Sequence, residues 1–318
     1  MFIPEYWAEA SRIVDNGKRR LTLRRFGWSN EDQEAAQLHA NQRLDEAVAN
    51  WELDPSILRR ERKVAYNGSD GVPIREEVID SNEHYVITRN TYGALCLNTQ
   101  NVLIADVDQT EPNNFLGCLF ATVLLNVALV AWIGRFYLFA AALFAIALAA
   151  TFFMRSNRNY GSKRSRVKHL QSFEDFSINN PSWGLRVYET PLGFRLIATH
   201  GTFDPQSSEV TRFFRAIEAD RVYERMCQRQ NCFRARLTAK PWRCGIKDHM
   251  FPRAVWPIKE EHATFRQAWI ERYQAVASGY AACRFVRKLG FEAVAPGIDA
   301  VVSTHDKLTQ CHSDLPLA

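Results

Sequence analysis

The chain has 318 residues, of which 47% are apolar and 24% charged, with a net charge of +5. This excludes a disordered polymer, which lacks the apolar residues for a core. It also excludes a small disulfide scaffold, because seven cysteines are too sparse and odd in number for one. The basic balance fits an anionic partner, whether nucleic acid, nucleotide phosphate or lipid headgroup, without choosing among them. The cysteines read as reduced thiols, and Met1–Ala10, with two carboxylates and no apolar run, does not read as a secretory leader.

Residues 1–16 are predicted to be a short helix and the very basic run Lys18–Trp28 a strand. Ser29 followed by Asp32 resembles a capping box. The Ala- and Glu-rich segment after it, to about Trp51, predicts an amphipathic helix with Ala40, Leu44, Ala47, Val48 and Trp51 on one face. Asn67-Gly68 and Asp70–Pro73 are turn signals. His84–Arg89, Ala94–Leu97 and Val102–Val107 then alternate like three strands of an antiparallel meander.

From Phe115 to Met154 the chain is almost continuously apolar, with Asn126 and Arg135 as the strongly polar exceptions. A bilayer core is crossed by roughly 20 helical residues, so the stretch predicts two passes, Phe115–Ile133 and Phe136–Met154, turning at Gly134-Arg135. Arg155, Arg158, Lys163, Arg164, Arg166 and Lys168 follow with no acid among them, which places both flanks in the cytosol. The expected location is a bacterial-type inner (plasma) membrane with both termini cytosolic and the lipid bilayer as a partner.

Strand patterns resume at Leu185–Tyr188 and Phe194–Thr199. Ser208–Ile217, Arg221–Gln228 and Lys259–Val276 follow as predicted helices, with Cys232–Leu237 as a strand. The predicted fold class is α+β, an antiparallel-sheet cytosolic domain with an inserted two-helix transmembrane hairpin. Residues 1–114 and 170–318 are expected to be the two halves of that domain, 115–154 the hairpin and 155–169 a basic juxtamembrane linker.

Val102–Asp108 carries the sharpest chemical signal. Asp106 and Asp108 lie two residues apart at the end of an apolar strand, so period-two geometry points both to one face. A divalent cation, Mg²⁺ or Mn²⁺, would relieve their repulsion and suits all-oxygen ligands shared with phosphates. Arg234 and Arg236 share a strand face, and Lys240-Pro241-Trp242-Arg243 sets cations beside an aromatic. The expected roles are phosphate contacts for Arg234, Arg236 and Arg243 and base stacking for Trp242. Cys227, Cys232, Cys244 and His249 are a possible zinc set, although structural zinc sites more often use tighter pairs. His305 reads as a cap or surface residue, and His200 as slightly better placed for chemistry.

Val86–Thr88, Gly93–Cys96 and the Asp106/Asp108 strand resemble the opening of the archaeo-eukaryotic primase/polymerase core, in which a β meander delivers a DxD motif to a metal-dependent nucleotidyl-transfer site. Tyr188-Glu189-Thr190-Pro191-Leu192-Gly193, running into Phe194–Ile197, is similar to that family's second motif. Together these cover residues 84–108 and 185–200. The resemblance implies a metal-dependent nucleotidyltransferase with Asp106 and Asp108 as catalytic metal ligands. The family's histidine falls at Arg195, which is grouped here with the phosphate-binding arginines, so the resemblance implies a nucleotide-binding ancestry, with a degenerate site, more than a working polymerase. Asp106–Thr110 also looks like the D-x-D-x-T motif of haloacid-dehalogenase-type phosphatases, with Asp106 as the nucleophile, but that motif wants a parallel sheet. The expected function is nucleotide or nucleic-acid binding with a divalent metal. The alternative is a non-catalytic membrane-tethered interaction protein using basic surfaces.

Overall fold

The computed structural model describes residues 3–61, 63–64, 68–69, 72–108, 126–127, 129, 132–134, 165–252 and 256–318. The chain divides into two units, Met1–Val107 with Ser177–Ala318, and Asp108–Phe176. In the second unit, residues 165–176 are helical as part of α2 (165–179), and His169 stacks on Phe173 one turn away.

The first unit opens with β1 (Tyr6–Asp15) and β2 (Arg20–Ser29), paired antiparallel from Tyr6↔Ser29 to Asp15↔Arg20. The helix expected over 1–16 is therefore a strand. Its Ala and Glu content favours helix locally, but pairing with β2 and burial of Trp7, Ala8, Ala10 and Val14 override that preference. Asp15 Oδ1 accepts from Gly17 N, and Asn16 Oδ1 accepts from Lys18 N and Arg19 N, which closes the turn.

Helix α1 (Gln33–Leu53) is capped by Asp32, whose carboxylate accepts from Ala35 N at 2.7 Å. Ser29 ends β2 instead of starting the helix. Ala36, Ala40, Leu44, Ala47 and Trp51 form the buried face and share one core with Ala8, Ala10, Val14 and Leu23, with Val48 partly buried against it. Small residues on the helix let its backbone reach the hairpin. At Gly27 a Cβ would strike Ala40 N, Ala36 O and Ala40 Cα, the last at 2.6 Å. Only glycine fits that crossing.

The short strands β3 (Lys63–Val64) and β4 (Gly68–Ser69) pair antiparallel. Beyond them lie two four-stranded sheets. One has the order β11-β7-β6-β5, built from β5 (Glu77–Ser81), β6 (Val86–Arg89), β7 (Leu95–Thr99) and β11 (Phe233–Arg236). Its registers are antiparallel, with Ile87↔Leu97 and Leu97↔Ala235. The other has the order β12-β9-β10-β8, built from β8 (Ile104–Asp108), β9 (Gly184–Thr190), β10 (Gly193–Ala198) and β12 (Arg284–Gly290). The third strand of the expected meander, β8, thus crosses to the second sheet. Val102, Leu103, Ile104, Ala105 and Val107 are all buried, as in a strand covered on both faces.

The remaining helices are α3 (Ser208–Ala216), α4 (Arg221–Gln230), α5 (Ala263–Ala277) and α6 (Ile298–Thr309). Tyr223 of α4 joins the sheets: its hydroxyl is 2.9 Å from Ile104 O on β8 and 3.0 Å from Arg234 O on β11, and Arg234 N donates to it.

The class is α+β with antiparallel sheets, but the inserted transmembrane hairpin and the inner-membrane location are corrected. Among the described residues no helix is long and apolar enough to cross a membrane. The longest, α1 with 21 residues, carries Glu34, Arg43, Asp45, Glu46 and Glu52, and charges in hydrocarbon cost several kcal/mol each. Of Phe115–Met154, only Asn126, Val127, Leu129, Trp132, Ile133 and Gly134 are described, helical in part up to a turn at Gly134. The rest of that stretch, with Arg135 and the linker before Ser165, lies outside the described residues.

Candidate functional site

Asp106 and Arg195 lie on the neighbouring strands β8 and β10 of one sheet, and Arg195 reaches across to β11 of the other. All six residues of β10 are buried, so Arg195, 2% exposed, must find every partner inside the protein. Its Nε donates to Asp106 Oδ1 at 2.8 Å and its Nη2 to Asp106 Oδ2 at 3.2 Å, a two-pronged pair. Nη1 donates to Arg236 O of β11 at 2.9 Å and lies 3.4 Å from His305 Nε2. Burial works against the guanidinium charge, but Asp106 outweighs it and holds Arg195 charged.

The network continues into α6. His305 is fully buried, with Nδ1 3.0 Å from Asp306 Oδ1. Asp306 Oδ1 also accepts from Tyr188 Oη at 2.7 Å, and its Oδ2 accepts from Arg186 Nη2 at 2.5 Å. A neutral His305 protonated on Nδ1 satisfies this geometry, since Nε2 then accepts from Arg195. Burial drives His305 down to about 4, with Arg195 assisting and Asp306 opposing. Burial alone would raise the Asp306 carboxyl, but hydrogen bonds from His305 and Tyr188 hold it well below the usual range.

Cys283 Sγ lies 3.9 Å from His305 Nε2, so Cys283, His305 and Asp306 stand in the order of nucleophile, base and orienting acid. The chemistry does not follow. Burial pushes the Cys283 thiol up to about 11, and His305 Nε2 already receives an Arg195 N–H. At neutral pH this row is a closed hydrogen-bond chain without a thiolate.

The chain predicts an acid response. An unfolded histidine binds its proton near pH 6.5, whereas folded His305 does so only near 4. Between those values the unfolded state holds more protons, so stability falls as pH drops through the window, by about 3 kcal/mol at most. The depressed Asp306 adds a loss of the same sign at lower pH. Urea midpoints measured from pH 7 to 4 should fall for the native chain and fall less for His305→Gln.

The remaining expected residues separate into three places. Arg234 is buried in an ion pair with Glu76 Oε2 at 2.5 Å, and Thr88 donates to the same oxygen. It faces inward, away from any phosphate. Asp108 is the exposed last residue of β8. Arg236 is half-buried beside the Tyr92 phenol, with its Nε donating to Thr238 O at 3.2 Å. Trp242, 55% exposed, meets Tyr92 edge-on at 5.3 Å between ring centroids, and Lys240 Nζ lies 5.5 Å from its ring centre. Arg243 closes the same 3₁₀ turn, Pro241–Arg243, and is half-buried.

The possible zinc set does not assemble: among the described residues the single cluster of metal-ligating side chains is Asp306, Cys311 and His312. Cys227, Cys232 and Cys244 are buried separately from it and His249 is exposed. Asp106 belongs to no such cluster. His200 is structural, accepting from Gly184 N at 3.1 Å and packing on Trp183. Sequence reasoning read His305 as a cap or surface residue, whereas it is fully buried, and gave no role to Asp306, Tyr188 or Arg186. Helical spacing held the signal for the first, since Ile298, Val301, His305 and Thr309 form the buried face of α6.

No protein-family model, curated protein or solved structure matches the chain.

Proposed function

We propose that the chain is a non-catalytic binding protein for single-stranded nucleic acid, and that the ridge of Tyr92, Arg236, Lys240, Trp242 and Arg243 is its contact surface. The observation that carries this reading is Trp242: a large indole left more than half exposed, braced by Tyr92 and flanked by cations. An indole so placed offers a stacking face to any base, while the neighbouring cations meet the backbone phosphates. Asp106 speaks against metal-dependent catalysis. Its carboxylate is paired with Arg195, and among the described residues no second or third metal-ligating side chain gathers beside it.

Fluorescence anisotropy with a labelled oligothymidylate, in EDTA and in Mn²⁺, tests the reading. Binding is expected in EDTA, weakening steeply with salt. Trp242→Ala should reduce it by about 1–3 kcal/mol per stacked base, with no change in melting temperature because the side chain is exposed. Absence of binding by the folded chain overturns the proposal. Binding that requires Mn²⁺ overturns its non-catalytic part and restores the metal-dependent reading.

A further inference from the structure

We infer that Asp306, Cys311 and His312 form a zinc-class metal site at the C-terminal end of α6, apart from the nucleic-acid ridge. All three donors come from one short segment. Helix α6 ends at Thr309, and Gln310 turns the chain back through a left-handed conformation (φ 55°). That conformation is uncommon for a residue with a side chain. It is fastened by Gln310 Nε2, which donates to Ser278 O and Tyr280 O. Cys311 N then donates to Asp306 O at 3.3 Å, which brings Cys311 and His312 back beside the Asp306 carboxylate.

The donor atoms all lie within 4.8 Å of one another. His312 Nε2 is 3.3 Å from Asp306 Oδ2. Two ligands bound at about 2 Å in a tetrahedron stand roughly 3.3 Å apart, so this pair already has the required spacing. The outer shell is also built: Tyr188 Oη and His305 Nδ1 hold Oδ1, and Arg186 Nη2 holds Oδ2. Such contacts orient a ligating carboxylate. Arg186 opposes a second cation nearby, so the site needs the thiolate charge as well as the carboxylate.

A thiolate, an imidazole and a carboxylate select Zn²⁺ over the oxygen-seeking Mg²⁺ and Ca²⁺. Binding replaces the Cys311 S–H bond with an S–metal bond and releases one proton to solvent. Burial, with Asp306 beside it, pushes the free thiol up to about 12, and a dication reverses that electrostatic balance. His312, with its side chain 59% exposed, gives solvent access to the site.

Titration of the full-length chain with Co²⁺, which reports thiolate ligation by a near-ultraviolet charge-transfer band, tests the site. The native chain should show the band, and Zn²⁺ should abolish it by displacement. Cys311→Ser should lack the band, and His312→Ala should weaken Co²⁺ binding by at least about tenfold. Cys311 is buried and its replacement can disturb the turn, whereas His312→Ala removes an exposed ring and keeps the fold. Absence of the band in the folded native chain, its persistence in Cys311→Ser, or unchanged affinity in folded His312→Ala each overturns the inference.

Discussion

Gly27→Ala is expected to destabilise the chain by about 3 kcal/mol or more, the upper range for overpacking a core. The new methyl group would meet backbone atoms of Ala36 and Ala40, not the ends of flexible side chains. No rotamer change relieves that clash, so α1 must lift from β2. Lifting it opens the core shared by Ala36, Ala40, Leu44, Ala47 and Trp51 with the hairpin. Gly201→Ala is the control, because a Cβ there meets nothing within 4 Å and its backbone is not left-handed. Urea denaturation should show a much lower midpoint for Gly27→Ala and an almost unchanged one for Gly201→Ala. Equal midpoints for the two variants would show that α1 does not depend on this close crossing.

Asp106→Ala is expected to cost about 3–5 kcal/mol, the range for breaking a buried ion pair from one side. It strands a charged Arg195 that is 2% exposed, with two of its N–H groups left without acceptors. Arg195→Met should cost less. The Asp106 side chain is 29% exposed, so water can solvate the carboxylate once the arginine is gone, and methionine fills much of the apolar volume. A double-mutant cycle measured by urea denaturation should give Asp106→Ala the larger loss and a strong coupling between the positions. The reverse order would refute the assignment of Arg195 as the buried, dependent partner.

Much of the framework was legible locally. The buried face of α1, strands β6, β7, β9, β10 and β11, and helices α3 and α4 all follow from periodicity within single segments. The errors share one cause. Residues 1–16 read as helix because composition favours it, while pairing with β2 makes a strand. β8 reads as the third strand of a meander because connections are usually short, yet it lies beside β10. The long apolar run after β8 reads as a membrane hairpin from hydropathy alone, yet no described helix is long and apolar enough to cross a membrane.

The candidate site divides along the same line. Trp242 with its neighbouring cations was legible because those residues are adjacent in the chain. The Asp106–Arg195 pair was not, because its members lie 89 positions apart. Sequence names an aspartate and an arginine as a metal ligand and a phosphate ligand, and neither label records that each is the other's partner. By itself the sequence determined the α+β character, the amphipathic helix and the run of cations beside Trp242, all properties of neighbours along the chain. Only the tertiary structure decided which charges are buried against each other, because desolvation and pairing depend on contacts between segments remote in sequence.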